Sequence, residues 1–343
     1  MRQMLDSVIG NSLLKSKLLS DILSDTLSHA YIIEGKKGSG RHTIAYMTAA
    51  ALVCEKINDN ASPLPCLNCP SCKKILGQKS PDVITVTRED KATLGVDAIR
   101  FLRNDVRVVP NDLDYKIYVI EDADTMTPQA QNAFLLTLEE PPEYVKFFLL
   151  CEDSKSFLET IISRAQLLRT EPIAATDIDD FLQNNHTEAQ KMKLSDPDSY
   201  NELIMASENS IGRAIELLDN KSLKKTLEHR LLARDFLKII STSGNSEKIV
   251  SLLSQFEKKR DGVLEQLTII EAALRDIIAI DRTENAPLVF FYDRQEALLI
   301  SDSINIRKLI HVYDKLKDTE DMISQNANVR LSLTSFFSEI NII

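Results

Sequence analysis

The chain has 343 residues, 43% of them hydrophobic and 27% charged, with no Trp and nine Gly. That length is more than one ordinary core can use and predicts two or three globular domains in series, leaning towards helix. A formal net charge of -10 opposes independent, salt-driven binding to a phosphate backbone, so any contact with nucleic acid is expected to be shared with partners. Residues 1 to 28 carry charges throughout and no apolar run is long enough to span a bilayer, which argues against a membrane protein and predicts a cytoplasmic one.

Residues 1 to 28 read as helix, with Leu14, Leu18, Leu19, Ile22 and Leu23 at helical spacing. A short buried strand, HAYIIE at 29 to 34, then runs into the glycine loop GKKGSGRHT at 35 to 43 and the helix-forming run Ile44 to Val53. That order points helix amides and the positive dipole end at an anion. Further strands are expected at Asp82 to Thr87, Tyr115 to Ile120 and Lys146 to Cys151, and helices at Asp97 to Val106 and Pro128 to Glu139, the latter stopped by Pro141 and Pro142. Helices interleaved with apolar strands predict an α/β fold whose parallel sheet is covered on both faces.

After about residue 170 strand signals vanish. Thr176 to Gln183, Asp198 to Ser207 and Gly212 to Leu218 read as three short helices, a small bundle expected to fold as a lid. Longer amphipathic helices follow at Leu223 to Thr242, Glu247 to Lys258, Val263 to Ile280, Ile304 to Asn326 and Val329 to Ile340. The division expected is a nucleotide domain over 1–170, a helical lid over 171–221 and an all-α domain over 222–343, with no internal repeat.

Gly35, Gly38 and Gly40 permit the backbone approach that a phosphate nest needs, and Ser39 lies among them. The loop ends on Arg41 and His42 where Gly-Lys-Ser/Thr would close it, and Thr43 lies one place past the usual hydroxyl position. KIYVIEDADTM, some 80 residues on, ends its strand in Glu121 and Asp122. A working P-loop ATPase has the aspartate first, for the magnesium shell, and the glutamate second, for the attacking water. Here the order is reversed. Cys151 closes the last strand as a small hydrophobe.

Cys54, Cys66, Cys69 and Cys72 form the third feature. Three thiolates in a C-x-x-C-x-x-C run, with a fourth twelve residues before, can close a tetrahedral site with no open position, which favours structural zinc. An iron–sulfur cluster is the alternative, although its fourth cysteine usually lies downstream and is followed by proline. The insert has few basic residues and no interleaved aromatics, so a nucleic-acid-binding module is the lesser reading.

HAYIIEGKKGSG, the four-cysteine insert, LGVDAIR at 94–100, IEDADTMTPQAQNAFLLTLEEPP at 120–142, ISRA at 162–165 and IGRAIELL at 211–218 together resemble the subunits of the bacterial DNA polymerase III clamp loader. NANVRLSLTSFF at 326–337 looks like the final helix of that family, extending the resemblance along the chain. It implies an AAA+ nucleotide domain with an inserted zinc site, a helical lid, and a helical collar that holds five subunits in a ring segment. Gamma/tau and delta subunits would be partners, with the sliding clamp and with primed DNA met through the assembled complex. By position Arg164 matches the arginine that reaches a neighbour's ATP site, a role suited to its planar, permanently charged fork, and Arg213 matches the lid arginine that senses nucleotide. Ala165 stands where the family has cysteine.

The altered loop lysine, the missing hydroxyl, the exchanged acids and the absent polar sensor together argue against intrinsic hydrolysis. The amides of Gly38, Ser39 and Gly40 could still receive ATP or ADP; equally, the Arg41 side chain could fill the nest. The competing expectation is an active gamma/tau-like ATPase working with an altered loop.

Overall fold

The computed structural model describes residues 8–59, 61–88, 91–241, 246–283, 286 and 288–340. They divide into two compact units, one running to Asp177 and taking in Ser210–Gly212, the other comprising Ile178–Asn209 and the chain from Arg213 onward.

The first unit is built on five strands, β1 (Ala30–Glu34), β2 (Val83–Val86), β3 (Lys116–Ile120), β4 (Val145–Cys151) and β5 (Gln166–Arg169). All pair in parallel, in the order β2-β3-β4-β1-β5. Helices α1 (Ser12–Leu23), α2 (Arg41–Leu52), α3 (Pro70–Leu76), α4 (Val96–Asp105), α5 (Pro128–Glu139) and α6 (Glu159–Ile162) connect and cover them. Strand alternation sorts the apolar residues into two layers. Tyr31, Ile33, Val119 and Phe148 pack with Leu18, Ile44 and Ala49, whereas Ile32, Tyr118, Phe147 and Leu149 pack with Ile99, Phe134 and Leu138. The expected parallel sheet covered on both faces is what forms. Phe148 is fully buried in it, and truncation to alanine would cost about 3–5 kcal/mol through the cavity left behind.

The continuous helix expected over 1–28 is shorter: α1 begins at Ser12 and ends at Leu23, while residues 1–7 lie outside the described residues. Gly10 and Asn11 take positive φ values of 63° and 53°, which no helix interior admits. The exposed amides of Ser12 and Leu13 are satisfied by the Glu171 carboxylate at 2.9 and 3.2 Å, a cap from 159 positions away. α5 follows its expectation: Thr127 caps it by accepting the Ala130 amide proton, and Pro128 occupies its first turn.

Among the described residues the second unit contains helices only. α7 (Ala175–Asn185) leads into it, followed by α8 (Thr187–Ser195), α9 (Pro197–Ala206), α10 (Ile211–Leu217), α11 (Asn220–Ser241), α12 (Ser246–Gln255), α13 (Arg260–Arg282), α14 (Arg294–Ser303), α15 (Ile306–Ser324) and α16 (Val329–Ile340). Four short helices thus stand where three were expected, the extra one being α8, whose lone buried side chain is Ala189. The expected end of α11 at Thr242 lies outside the described residues. The unit's core gathers Phe236, Leu267, Leu274, Leu316, Phe336 and Phe337. Asp276, 1% exposed, accepts the amide protons of Val289, Phe290 and Phe291 and so pins the segment before α14. Among the described residues no helix is long and apolar enough to cross a membrane.

Candidate functional site

Because all five strands run in parallel, the carboxyl ends of β1, β3, β4 and β5 share one edge of the sheet, the edge at which open α/β sheets place their ligands. The glycine loop leaves β1 there. Gly38 and Gly40 have φ values of 78° and 89°, a region closed to most side chains. A Cβ on Gly35 would stand 2.0 Å from Thr170 Oγ1 and 2.6 Å from Ser39 Oγ. The Ser39 amide donates to the Lys36 carbonyl at 3.1 Å, closing a tight turn, and the Ser39 hydroxyl is buried without a partner. Gly212, within the same unit, donates its amide proton to the Gly38 carbonyl at 3.0 Å. Thr43 is exposed on the first turn of α2.

The basic pair that ends the loop is turned towards acids of the same chain. The Arg41 side chain is only 12% exposed, with Nη2 3.6 Å from Glu152 Oε1 and Nη1 buried without a partner. His42 Nε2 lies 3.0 Å from Glu121 Oε1, and the ring stacks on Tyr46 at 4.5 Å. Asp122, held at φ 45°, accepts from Arg88 Nε at 2.9 Å. Both acids at the end of β3 are therefore met by cationic or ring-nitrogen groups of this chain. Beside them the Cys151 thiol is pushed up to about 12, first by burial and then by the charges of Asp124 and Glu34, and stays a neutral thiol.

Glu152 and Arg88 were not among the residues singled out from the sequence. Glu152 directly follows the end of β4 and could have been found as its next polar residue. Arg88 is 34 positions from Asp122 and carries no local signal. Arg213 belongs to the second unit, where Nη1 reaches Glu216 at 3.0 Å and Nη2 donates to Thr226 Oγ1 at 3.2 Å.

Arg164 stands at the opposite edge of the sheet from the loop, immediately before the amino end of β5. Its Nη2 is 2.9 Å from Glu139 Oε1, at the end of α5, and Nη1 donates to the Thr160 carbonyl at 2.9 Å and to Ser163 Oγ at 3.3 Å. The fold thus gathers Gly35, Gly38, Ser39, Gly40, Arg41, Glu121 and Asp122 at one edge and keeps Arg164 away from them. A four-residue strand spans roughly 13 Å at about 3.3 Å per residue, so Arg164 cannot serve its own loop.

The four cysteines do converge. Cys54 follows α2, Cys66 and Cys69 lie on the turn before α3, and Cys72 is inside α3. Their sulfurs all lie within 4.8 Å of one another, and all four residues are buried. Amide protons of Cys66, Cys69 and Cys72 point at the sulfurs of Cys54, Cys66 and Cys69, each at 3.4 Å. Burial raises the Cys54 and Cys72 thiols; at Cys66 burial is outweighed by the amides of Asn68 and Cys69, which bring it down to about 7. Tetrahedral Zn–S bonds of about 2.3 Å imply sulfurs about 3.8 Å apart, so a small contraction of this cluster would hold a zinc ion with no open position. The donor set fits the metal.

Residues 10–174 match the family model described as DNA polymerase III, delta subunit. Two curated relatives come from Bacillus subtilis: DNA polymerase III subunit tau is 31% identical over 217 residues, and subunit delta' is 32% identical over 203 residues. Over the matched residues this chain is similar to DNA polymerase III subunits. The two alignments cover 63% and 59% of this chain, which spans 37% and 57% of those relatives' own lengths. A gamma subunit-related protein from Thermotoga maritima, of known structure, aligns over 95% of this chain and 98% of its own, at 18% identity and a TM-score of 0.45. Similarity alone does not choose between the tau and delta' types, since their identities differ by a single percentage point.

Proposed function

We propose that this chain is a delta prime subunit of a DNA polymerase III clamp loader, a member of the assembly that does not itself hydrolyse ATP. The observation that carries the choice is the pairing of His42 with Glu121 at 3.0 Å. At the place where a hydroxyl would ligate magnesium stands an imidazole, and it engages the first acid of the metal-holding pair. Arg88 engages the second acid, and Arg41 is too broad and planar to take the point-charge role of the loop lysine. The amides of the loop remain suited to a phosphate, so occupancy by ATP or ADP without turnover is compatible with this reading.

In this reading Arg164 acts in trans. Its position at the edge opposite the loop supports a phosphate ligand supplied by a neighbouring subunit. Gamma/tau and delta subunits are the partners, residues 171–221 serve as the lid, 222–343 as the collar, and the four cysteines hold a structural zinc. The assembly would open the sliding clamp and seat it on primed DNA. The similarity to tau keeps an active gamma/tau-like ATPase as the competing reading. Magnesium-dependent ATP hydrolysis by the purified chain, compared with hydrolysis after adding gamma/tau and delta subunits, separates them. Turnover by the chain alone would favour the ATPase; turnover in the assembly alone would favour delta prime.

A further inference from the structure

We propose that Glu139 is the positioning residue for Arg164, fixing the plane in which its guanidinium meets a phosphate. This rests on the trans reading of Arg164. The fork is held from two elements: Glu139 Oε1, from the end of α5, takes Nη2 at 2.9 Å, while the Thr160 carbonyl, from α6, takes Nη1 at 2.9 Å and Ser163 Oγ lies 3.3 Å from that same nitrogen. A guanidinium has five N–H donors. Nη1 gives its two to Thr160 and Ser163, and the Glu139 carboxylate holds Nη2 by charge, which leaves the Nε and Nη2 side of the fork for a bidentate acceptor arriving from outside.

Helix electrostatics supply an independent argument. Glu139 is the last residue of α5, where the macrodipole is negative and a carboxylate is disfavoured. Its place is therefore not explained by the helix it ends, but it is explained by the cation opposite. Both side chains remain partly open, 35% exposed for Arg164 and 45% for Glu139. An ion pair so exposed adds little net stability; it orients the fork without trapping it, and a doubly charged phosphate can share or replace the carboxylate.

The test uses the clamp loader reconstituted with gamma/tau and delta subunits, with ATP turnover as the readout. Glu139→Gln should lower kcat roughly threefold to tenfold at unchanged KM, because a freed side chain seldom samples the productive geometry. Glu139→Asp should recover part of the loss, and Glu139→Gln placed on Arg164→Ala should add nothing. Thermal melting of each variant checks that the fold is kept. If Arg164→Ala is defective while Glu139→Gln matches wild type or turns over faster, the positioning role is wrong and the trans reading stands. Additive losses in the double variant would also overturn it. If Arg164→Ala itself turns over normally, the trans reading fails and Glu139 has nothing to position.

Discussion

Arg41 and Glu152 face one another beside the glycine loop, Nη2 3.6 Å from Oε1, while the other terminal nitrogen of the guanidinium is buried without a partner. In the function proposed above, Arg41 stands in the region that a phosphate-binding lysine would serve, with the Glu152 carboxylate next to it. Nucleotide added to the isolated protein has to compete with that arrangement. We expect Mg-ATP to leave its melting temperature unchanged within error. The double substitution Arg41→Lys with His42→Thr should restore binding, raising the melting temperature by about 5–10 °C at a hundredfold excess over Kd. Turnover should stay absent in that variant, since Glu121 and Asp122 remain exchanged. A large Mg-ATP shift in the unaltered protein would show that nucleotide displaces Arg41 from the loop, and would leave the absence of turnover to be tested separately.

Cys69 links two parts of the cysteine cluster: its sulfur accepts the Cys72 amide proton and its own amide points at Cys66. Cys69→Ser should release the metal and destabilise the first unit by on the order of several kcal/mol, read from urea unfolding with zinc content measured in parallel. A chelator should do the same to the unaltered protein. One zinc per chain is the expected stoichiometry.

His29 lies at the foot of β1, where burial first and the Lys146 ammonium second hold its pKa below the ordinary 6.5. The folded state therefore refuses a proton that the unfolded chain accepts. Its contribution to stability is fully present above pH 6.5 and is lost as the pH falls through the lower folded value. Unfolding free energies between pH 7.5 and 5 should fall with pH in the natural chain, and fall less steeply in His29→Gln. Equal slopes would rule out this residue as the source.

Gly35 has no room for a side chain, since a Cβ there would meet Thr170 Oγ1 at 2.0 Å. Gly35→Ala should cost about 1–3 kcal/mol through overpacking, and adding Thr170→Ala should return part of it. Urea denaturation of the single and double variants measures both quantities.

Sequence patterns exposed what is local and periodic. β1, β3 and β4 were legible because each carries a run of consecutive apolar residues buried on both faces. β5 was not: QLLR is four residues at the sheet edge with Leu168 alone buried, too short to show a period. α3 hid inside the cysteine run, and α8 because its sequence is polar on nearly every face. The same distinction governs the site. The loop, the acid pair and the cysteines are contiguous motifs, so their residues could be named in advance. The partners that set their chemistry come from elsewhere in the chain: Arg88 for Asp122, Glu152 for Arg41, and Glu139, 25 positions before Arg164. No spacing rule marks such contacts, which exist only once the sheet has brought its strand ends together.

The central claim is that this chain lends an arginine to a neighbour and burns no nucleotide itself. It is tested most directly by single-turnover ATP hydrolysis in a reconstituted clamp loader in which only the site adjoining this chain is competent. With Arg164→Ala, hydrolysis at that site should fall roughly 10³-fold or more, the scale of an arginine supplied in trans. Hydrolysis at the unaltered rate would contradict the account.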